Sequence, residues 1–232
     1  PPTVTLACMD LGIEQIGYRQ ENAGTYMAQA YAMCTNTIPV VTAQNGPAAT
    51  LLVPGLAECL KASYPVVALV EEVSRKHEEK NAFQELDHLE LFKGVAKWVK
   101  KIPIQDRIED YVDRAFSIAA SGRPGPTVLL CPKDIIGDVK EYLIDPRRTQ
   151  NAGVFPLDRS IADLTKIDEA ADLLRNAKQP IIYAGGGVIS SGAIQELREL
   201  QEECSIPVAT TTMGKGSVDE EHPLSIGPIG YY

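Results

Sequence analysis

Short runs of apolar residues alternate along the chain with longer stretches in which apolar residues recur at helical spacing. The short runs are rich in β-branched residues, as is typical of buried strands, and they lie at 38–43, 65–70, 127–131, 180–184 and 207–211. Apolar stripes at 108–119 and 167–174 predict amphipathic helices. Strands that alternate with helices predict an α/β fold, a parallel sheet with helices on both faces.

The periodic pattern fades over 138–166, which contains the polar stretch 145–153. Polar stretches of this kind commonly join domains. We therefore predict a first domain at 1–140, a linker at 141–166 and, at 167–232, the start of a second, Rossmann-like α/β domain.

Composition and charge narrow the class of partner. The 232 residues are 44% hydrophobic and carry a formal net charge of −9 at pH 7. The chain can therefore bury a full core, and we expect neither nucleic acid nor an anionic membrane as its partner. The five cysteines are scattered and lack C-x-x-C spacing, which argues against a disulfide framework or a zinc site. We expect a cytoplasmic protein with no metal ligands in this chain.

Glu21 is the first candidate for chemistry. It lies at the start of a small-residue helical stretch and follows 14–18, which has the pattern of a short strand. We therefore expect Glu21 in a crevice beyond the carboxyl end of a strand, where α/β folds bind ligands. The turn at 45–47 ends the strand at 38–43, and both strand ends are expected to face one cavity. The alternatives are that Glu21 only complements a helix dipole and that 45–47 is only a turn.

Two further stretches each have a chemical and a structural interpretation. Residues 83–87 follow a polar loop and are either part of a site or an ordinary helix cap with a buried phenylalanine. The glycine run at 185–187 lies between a predicted strand and a helix predicted at 191–200. Such a run favours close approach of the backbone to a phosphate or nucleotide, although it also suits tight packing of a strand against a helix.

Motifs in both halves of the chain resemble one known family. In the first half they are R-x-E-x-x-x-x-x-M-A at 19–28, N-G-P at 45–47, F-Q-E at 83–85, A-K-W at 96–98, G-R-P-G-P at 122–126 and C-P-K-D at 131–134. These resemble the pyrimidine-binding domain of thiamine-diphosphate enzymes such as acetolactate synthase. In the second half, 177–188, 211–216 and 222–224 look like the start of that family's central domain.

The resemblance implies roles for individual residues of the first domain. Glu21 would hydrogen-bond a ring nitrogen of the cofactor's aminopyrimidine and act as the acid and base. Gly46 and Pro47, together with Asn45, would bind the pyrimidine. Gln84 would reach the reacting carbon from the partner subunit. Glu21 and Gln84 are therefore the predicted catalytic residues.

The resemblance also implies cofactors and partners. We expect an enzyme that uses thiamine diphosphate, with Mg²⁺ held by a C-terminal domain outside this chain, and that decarboxylates a 2-oxo acid such as pyruvate and transfers its two-carbon unit. A dimer or tetramer is expected, with active sites between subunits. The second domain would bind FAD or ADP, if either, through a loop set of Gly185, Gly186, Gly187, Thr211, Met213 and Gly214.

Some positions depart from the family pattern. The asparagine of the usual G-P-G-A-T-N is Leu51, and the histidine that usually precedes the glutamate is Gln20. The Q-N-G-P form at 44–47 also resembles sulfoacetaldehyde acetyltransferases. We expect a piece of a longer enzyme, inactive alone and lacking the first strand of its pyrimidine domain. The alternatives are another thiamine-diphosphate branch, such as that acetyltransferase or an acyl-CoA lyase, and a non-catalytic nucleotide-binding or scaffold module.

Overall fold

The computed structural model describes residues 2–137, 153–158 and 160–230. The chain divides into two compact units, Pro1–Asp158 and Arg159–Tyr232. The division falls within the stretch at 141–166 for which the sequence predicts a linker, and residues 141–152 and 159 of that stretch lie outside the described residues. No helix in the described ranges is long and apolar enough to cross a membrane.

The first unit is built on a parallel sheet. Its strands are β1 (Val40–Ala43), β2 (Val67–Glu72), β3 (Trp98–Lys101) and β4 (Thr127–Pro132). They pair in the order β1-β2-β4-β3, and every pairing is parallel. The two central strands, β2 and β4, therefore have neighbours on both sides, which agrees with their nearly continuous apolar sequences.

Helices connect these strands. The α-helices of the first unit are α1 (Pro2–Asp10), α2 (Glu21–Thr35), α3 (Pro47–Ala62), α4 (His88–Phe92), α5 (Ile108–Ala120) and α6 (Lys133–Ile136). Short 3₁₀ turns occupy Arg75–His77 and Gln105–Arg107. The strongly amphipathic sequence of α5 follows from its position, because only one of its faces meets the sheet.

The two faces of the sheet bury different side chains, because successive residues of a strand point to opposite faces. Val128 and Leu130 of β4 pack in one apolar cluster with Leu52 and Leu56 of α3. Leu129 lies in a second cluster, whose other members include alanines of α5. Helices thus cover both faces of the sheet, and the predicted fold class is confirmed.

The sequence predicted three stretches less well. The edge strand β3 was missed, since its sequence Trp-Val-Lys-Lys is half charged and gives no apolar run. Residues 14–18, which have the pattern of a strand, are irregular chain with mostly exposed side chains, so that prediction is wrong. The helix predicted at 191–200 is instead two helices, α8 (Gly186–Ser191) and α9 (Ile194–Cys204), separated at Gly192.

The second unit contains a smaller parallel sheet. Its strands are β5 (Ile182–Ala184), β6 (Val208–Thr210) and β7 (Ser225–Pro228), paired in that order. Besides α8 and α9 it has α7 (Leu164–Asn176) and a 3₁₀ turn at Thr212–Gly214. Strands that alternate with helices agree with the predicted Rossmann-like start. Strand β7 was missed because Ser-Ile-Gly-Pro contains two residues that disfavour strands.

Gly55 permits the close contact between α2 and α3. A Cβ at Gly55 would lie 2.1 Å from Oγ1 of Thr25 and 2.4 Å from its Cβ. Thr25 is itself buried, with its hydroxyl donating to the carbonyls of Glu21 (3.1 Å) and Asn22 (2.9 Å). Since the helix that begins at Glu21 rests on α3 here, this contact fixes the position of Glu21.

We predict that Gly55→Ala destabilises the first unit by about 1–3 kcal/mol, because the added methyl group overpacks a buried contact. The measurement is urea unfolding followed by circular dichroism. Gly94→Ala is the matched control, since a Cβ at Gly94 meets no atom within 4 Å. Equal stability of the two variants would contradict the inferred close packing of α2 on α3.

Candidate functional site

The loops at the carboxyl ends of β1 and β2 leave the same edge of the sheet, because the two strands are parallel neighbours. The loop after β1 contains Asn45 and Gly46, and the loop after β2 leads to Gln84. The sequence predicts these residues separately, and the sheet brings them together.

Gly46 has a backbone conformation that favours glycine, with φ 67° and ψ −124°. A Cβ at this position would lie 2.7 Å from both Cβ and the carbonyl oxygen of Gln84. Gly46 and Gln84 are therefore in direct contact. Pro47 follows as the first residue of α3, where its fixed φ suits a helix start, and its ring is exposed.

Asn45 ties the two loops to each other. Its side chain is 1% exposed, and its Nδ2 donates hydrogen bonds of 3.0 Å to the carbonyl oxygens of Phe83 and Gln84. Gln84 has a positive φ of 59°, which is uncommon for a residue with a side chain. The amide of Asn45 holds this unfavourable backbone in place.

A buried histidine completes the junction. Nε2 of His88 accepts a hydrogen bond of 2.9 Å from the backbone N–H of Gly46, and Nδ1 lies 2.8 Å from Oε1 of Glu72. His88 is 1% exposed and Glu72 is 3% exposed. No motif or spacing in the sequence predicts a role for either residue. The available signal was a pair of carboxylates that ends an otherwise apolar strand, since buried carboxylates require partners.

Glu21 is the first residue of α2 and is half-buried. Burial raises the pKa of Tyr18, and the charge of Glu21 raises it further, so the carboxylate lies near the phenol. The Tyr18 hydroxyl donates a hydrogen bond to the carbonyl of Thr42 in β1. This bond anchors the chain just before Glu21 to the next-to-last residue of β1. Gly46 follows soon after the end of that strand.

Gln84 lies at the end of a tight loop organised by Glu85. The carboxylate of Glu85 accepts backbone hydrogen bonds from Glu79 (2.6 Å) and Ala82 (2.9 Å), and these bonds lower its pKa. Phe83 projects from this loop with 82% of its surface exposed. The alternative of an ordinary helix cap with a buried phenylalanine is half right: Asp87 caps α4 by accepting a hydrogen bond of 3.0 Å from the N–H of Glu90, but the phenylalanine is not buried.

The glycine loop of the second unit forms a separate cluster. Gly185 precedes α8, and Gly186 lies within it. A Cβ at Gly186 would lie 3.2 Å from Cβ of Met213, and one at Gly214 would lie 2.2 Å from the carbonyl oxygen of Ala184. Thr211 accepts a bond of 3.0 Å from the N–H of Gly214 through Oγ1. The structure thus brings this predicted loop set together, while Gly187 has no atom within 4 Å of its Cβ position.

No group of three or more His, Cys, Asp or Glu in the described part of the chain is placed to hold a metal ion. All five cysteines are free. Burial raises the pKa of the Cys59 and Cys131 thiols to about 12. Both are therefore thiols at neutral pH and pack as small apolar groups.

Comparison with known proteins identifies the family. The model of the N-terminal TPP binding domain of thiamine pyrophosphate enzymes matches residues 3–91, and the model of the central domain of the same enzymes matches residues 167–232. The order of the two domains is the order expected from their descriptions. The chain belongs to the thiamine pyrophosphate enzymes, and the resemblance drawn from its motifs is confirmed.

The relatives are named as acetolactate synthases. The chain is 38% identical to the probable acetolactate synthase large subunit of Methanocaldococcus jannaschii, across 97% of this chain and 38% of the relative. It is 40% identical to the corresponding protein of Methanococcus aeolicus, across 92% and 36%. It is 33% identical to the acetolactate synthase isozyme 2 large subunit of Escherichia coli, across 97% and 40%. The chain thus spans well under half the length of these relatives.

We predict that Glu85→Gln loosens the loop that carries Gln84, because charge-assisted hydrogen bonds to two backbone N–H groups are weakened. Amide hydrogen exchange of residues 79–85 should be roughly 2- to 10-fold faster at neutral pH. Glu90→Gln is the control, because the Glu90 carboxylate is exposed and pairs with the exposed Lys93.

The pH dependence of this loop follows from the same contacts. The pKa of Glu85 is lower in the folded protein than the ordinary value of 4.5. The carboxylate therefore stabilises the loop above pH 4.5, and this contribution is lost as the pH falls through the lower, folded-state pKa. The protection of amides 79–85 against exchange, after correction for the pH dependence of the intrinsic exchange rate, should not show this loss in Glu85→Gln. Identical profiles for the variant and the parent would contradict the role of Glu85.

Proposed function

We propose that this chain is part of a thiamine-diphosphate-dependent carboligase or decarboxylase that acts on 2-oxo acids, as an acetolactate synthase does. The observation that carries the proposal is the position of the Glu21 carboxylate. It is half-buried at the start of α2, and Tyr18, three residues before it, is hydrogen-bonded to Thr42 of β1, the strand that the Gly46 turn follows. The names of the relatives support the reaction class.

The residues at this edge fit the aminopyrimidine part of thiamine diphosphate by their chemistry. A carboxylate suits a ring nitrogen that carries a proton. The exposed ring of Pro47 offers an apolar contact to a flat heterocycle, and the half-buried amide of Gln84 offers a donor and an acceptor. We propose that Glu21, Asn45, Gly46 and Pro47 form the pyrimidine-binding part of the site.

In this proposal Glu21 holds a proton against the ring nitrogen and returns it, as a general acid and base. Asn45 acts indirectly, by fixing the loop that carries Gln84 against Gly46. Gln84 orients the substrate from the strained position in which that loop holds it. Bound thiamine diphosphate supplies an electron sink for the bond broken in the 2-oxo acid.

Magnesium and the diphosphate are proposed to bind elsewhere in the whole protein, outside this chain. The loop cluster of the second unit offers backbone groups of Gly185 and Gly186 close to Thr211, and we propose it as the place where FAD or ADP would bind. The free cysteines support a reducing, cytoplasmic setting.

We also propose a homo-oligomer, a dimer or tetramer, with the active site between subunits. The helix that begins with Glu21 exposes Tyr26, Met27 and Tyr31. An exposed aromatic and methionine surface beside a candidate site is typical of subunit contacts. This surface supports the proposal that a second copy covers α2 and closes the site.

A second branch of the family is favoured by one observation. Leu51 is exposed on α3, one turn beyond Pro47, where the usual pattern has an asparagine. The chain therefore offers an apolar side chain in place of an amide at this position. We keep acetyl transfer, as in sulfoacetaldehyde acetyltransferase, or an acyl-CoA lyase reaction as the alternative chemistry of the same cofactor.

We predict that Glu21→Gln in the whole protein lowers turnover by roughly 10²- to 10⁴-fold, the range that general acid and base groups contribute. The reason is that glutamine retains the size of the side chain but cannot exchange a proton with the ring nitrogen. The measurement is pyruvate consumption with thiamine diphosphate and Mg²⁺, together with proton exchange at the reacting carbon of the cofactor by NMR.

Glu58→Gln is the matched control, since Glu58 is an exposed carboxylate on α3. Full proton exchange in Glu21→Gln would show that Glu21 only complements the start of α2. Exchange that depends on Glu21, without consumption of any 2-oxo acid, would favour the acetyl-transfer branch.

A further inference from the structure

The buried pair of Glu72 and His88 contacts the candidate cofactor site through a single backbone atom. Glu72 is the last residue of β2 and His88 is the first residue of α4. The imidazole bridges from Oε1 of Glu72 to the backbone N–H of Gly46, with distances of 2.8 Å and 2.9 Å. The pair therefore links the ends of β1 and β2 beneath the turn at Gly46.

The contacts define the protonation of His88. The backbone N–H of Gly46 is a donor, so Nε2 must be the unprotonated, accepting nitrogen. The hydrogen of the neutral ring then lies on Nδ1 and is donated to Glu72. A carboxylate accepts hydrogen bonds and cannot donate while ionised, so Glu72 selects this tautomer.

The N–H that His88 binds belongs to a residue under conformational constraint. Gly46 has φ 67° and contacts Gln84 on its other side. Its carbonyl accepts a bond of 3.1 Å from the N–H of Thr50 in the first turn of α3. Loss of the His88 acceptor would leave a buried N–H unpaired, and the turn would have to move to reach water or another acceptor.

We propose that His88, oriented by Glu72, is a positioning residue that sets the Gly46–Pro47 turn for the cofactor's aminopyrimidine. This inference rests on the proposed function, because it assigns the cofactor to that turn. His88 acts through Gly46 and is buried away from solvent. Its effect therefore falls on cofactor affinity and on the order of the turn.

The test compares two amide substitutions in the whole protein. Glutamine at position 88 places an amide oxygen about as far from the backbone as Nε2, so His88→Gln retains an acceptor for Gly46. Asparagine reaches only about as far as Nδ1, so His88→Asn retains the contact with Glu72 and loses the one with Gly46. Both are buried amides of similar polarity, which separates the Gly46 contact from a general effect on folding.

Two quantities are measured: amide hydrogen exchange of residues 44–50 without cofactor, and the Kd of thiamine diphosphate with Mg²⁺ by isothermal titration. We expect His88→Asn to accelerate the exchange and to raise Kd by about 10-fold or more, the effect of one lost buried hydrogen bond. His88→Gln should restore both quantities to within about threefold of the parent protein.

Thr127→Val is the matched control for stability. Thr127 is the first residue of β4 and lies at the end of the strand opposite to the edge that carries the Gly46 turn. Its buried hydroxyl donates a bond of 3.1 Å to the carbonyl of Ala115 in α5. This variant should unfold more easily with Kd unchanged. A rise in Kd equal to that of His88→Asn would overturn the proposal, as would equal Kd values for the two amide variants.

A third variant tests the proposal if the two amide variants of His88 do not fold. Glu72→Gln preserves shape but weakens the hydrogen bond that orients the ring, because a neutral amide oxygen replaces the carboxylate as the acceptor for Nδ1–H. It should raise both exchange and Kd, and unchanged values would overturn the proposal. If the parent protein does not bind thiamine diphosphate, the proposed function fails and the cofactor role of His88 fails with it. Exchange of 44–50 then still decides whether His88 holds the turn.

Discussion

The parallel pairing of β2 with β1 and β4 is the constraint on which the rest of the first unit depends. Val40 lies opposite Val67, and Glu72 lies opposite Pro132. In a parallel sheet all carboxyl ends lie at one edge, so loops that are far apart in sequence must meet there. The contacts of Gly46 with Gln84 and with His88 cross about forty residues of sequence, and the sheet register alone makes them local.

The polar groups at this edge differ in how well they are satisfied. Asn45, Glu72 and His88 are buried with good hydrogen bonds. Glu71 is also buried, but among the described residues its Oε2 has no hydrogen-bond partner, and its Oε1 lies 3.5 Å from Nζ of Lys133. The buried polar groups on the side of this edge that faces α3 and α4 are thus better hydrogen-bonded than the buried carboxylate on the other side. A network with all of its members paired is the one expected to fix a precise geometry.

The surface of α2 and the loop at 79–85 have features that suit this edge to binding a ligand or a partner. Gln84 has a backbone conformation that costs free energy, and Phe83 has 82% of its surface exposed. Such features persist when surrounding contacts hold them and when a ligand or partner uses them. Apolar side chains of α2 are exposed on the same unit. A partner subunit over α2 would therefore bury apolar surface and enclose the site in one step.

The sequence by itself determined the alternation of strands and helices and the family. The buried strands β2 and β4 and the amphipathic α5 were readable because their apolar patterns follow directly from burial on two faces or on one. Glu21, Gly46, Pro47 and Gln84 were predicted as site residues through motifs, in which order and residue type carry the information.

The sheet register and the packing of side chains decided the rest. Strands β3 and β7 have no apolar pattern because an edge position buries little, so only pairing with a neighbour reveals them. The contact of Thr25 with Gly55, the clamp of Asn45 on the 83–84 loop and the bridge from Glu72 through His88 to Gly46 join residues that no local spacing relates. A lone histidine and two adjacent carboxylates are uninformative in sequence. They acquire a role only when the fold removes them from water, because a buried polar group must then find a specific partner.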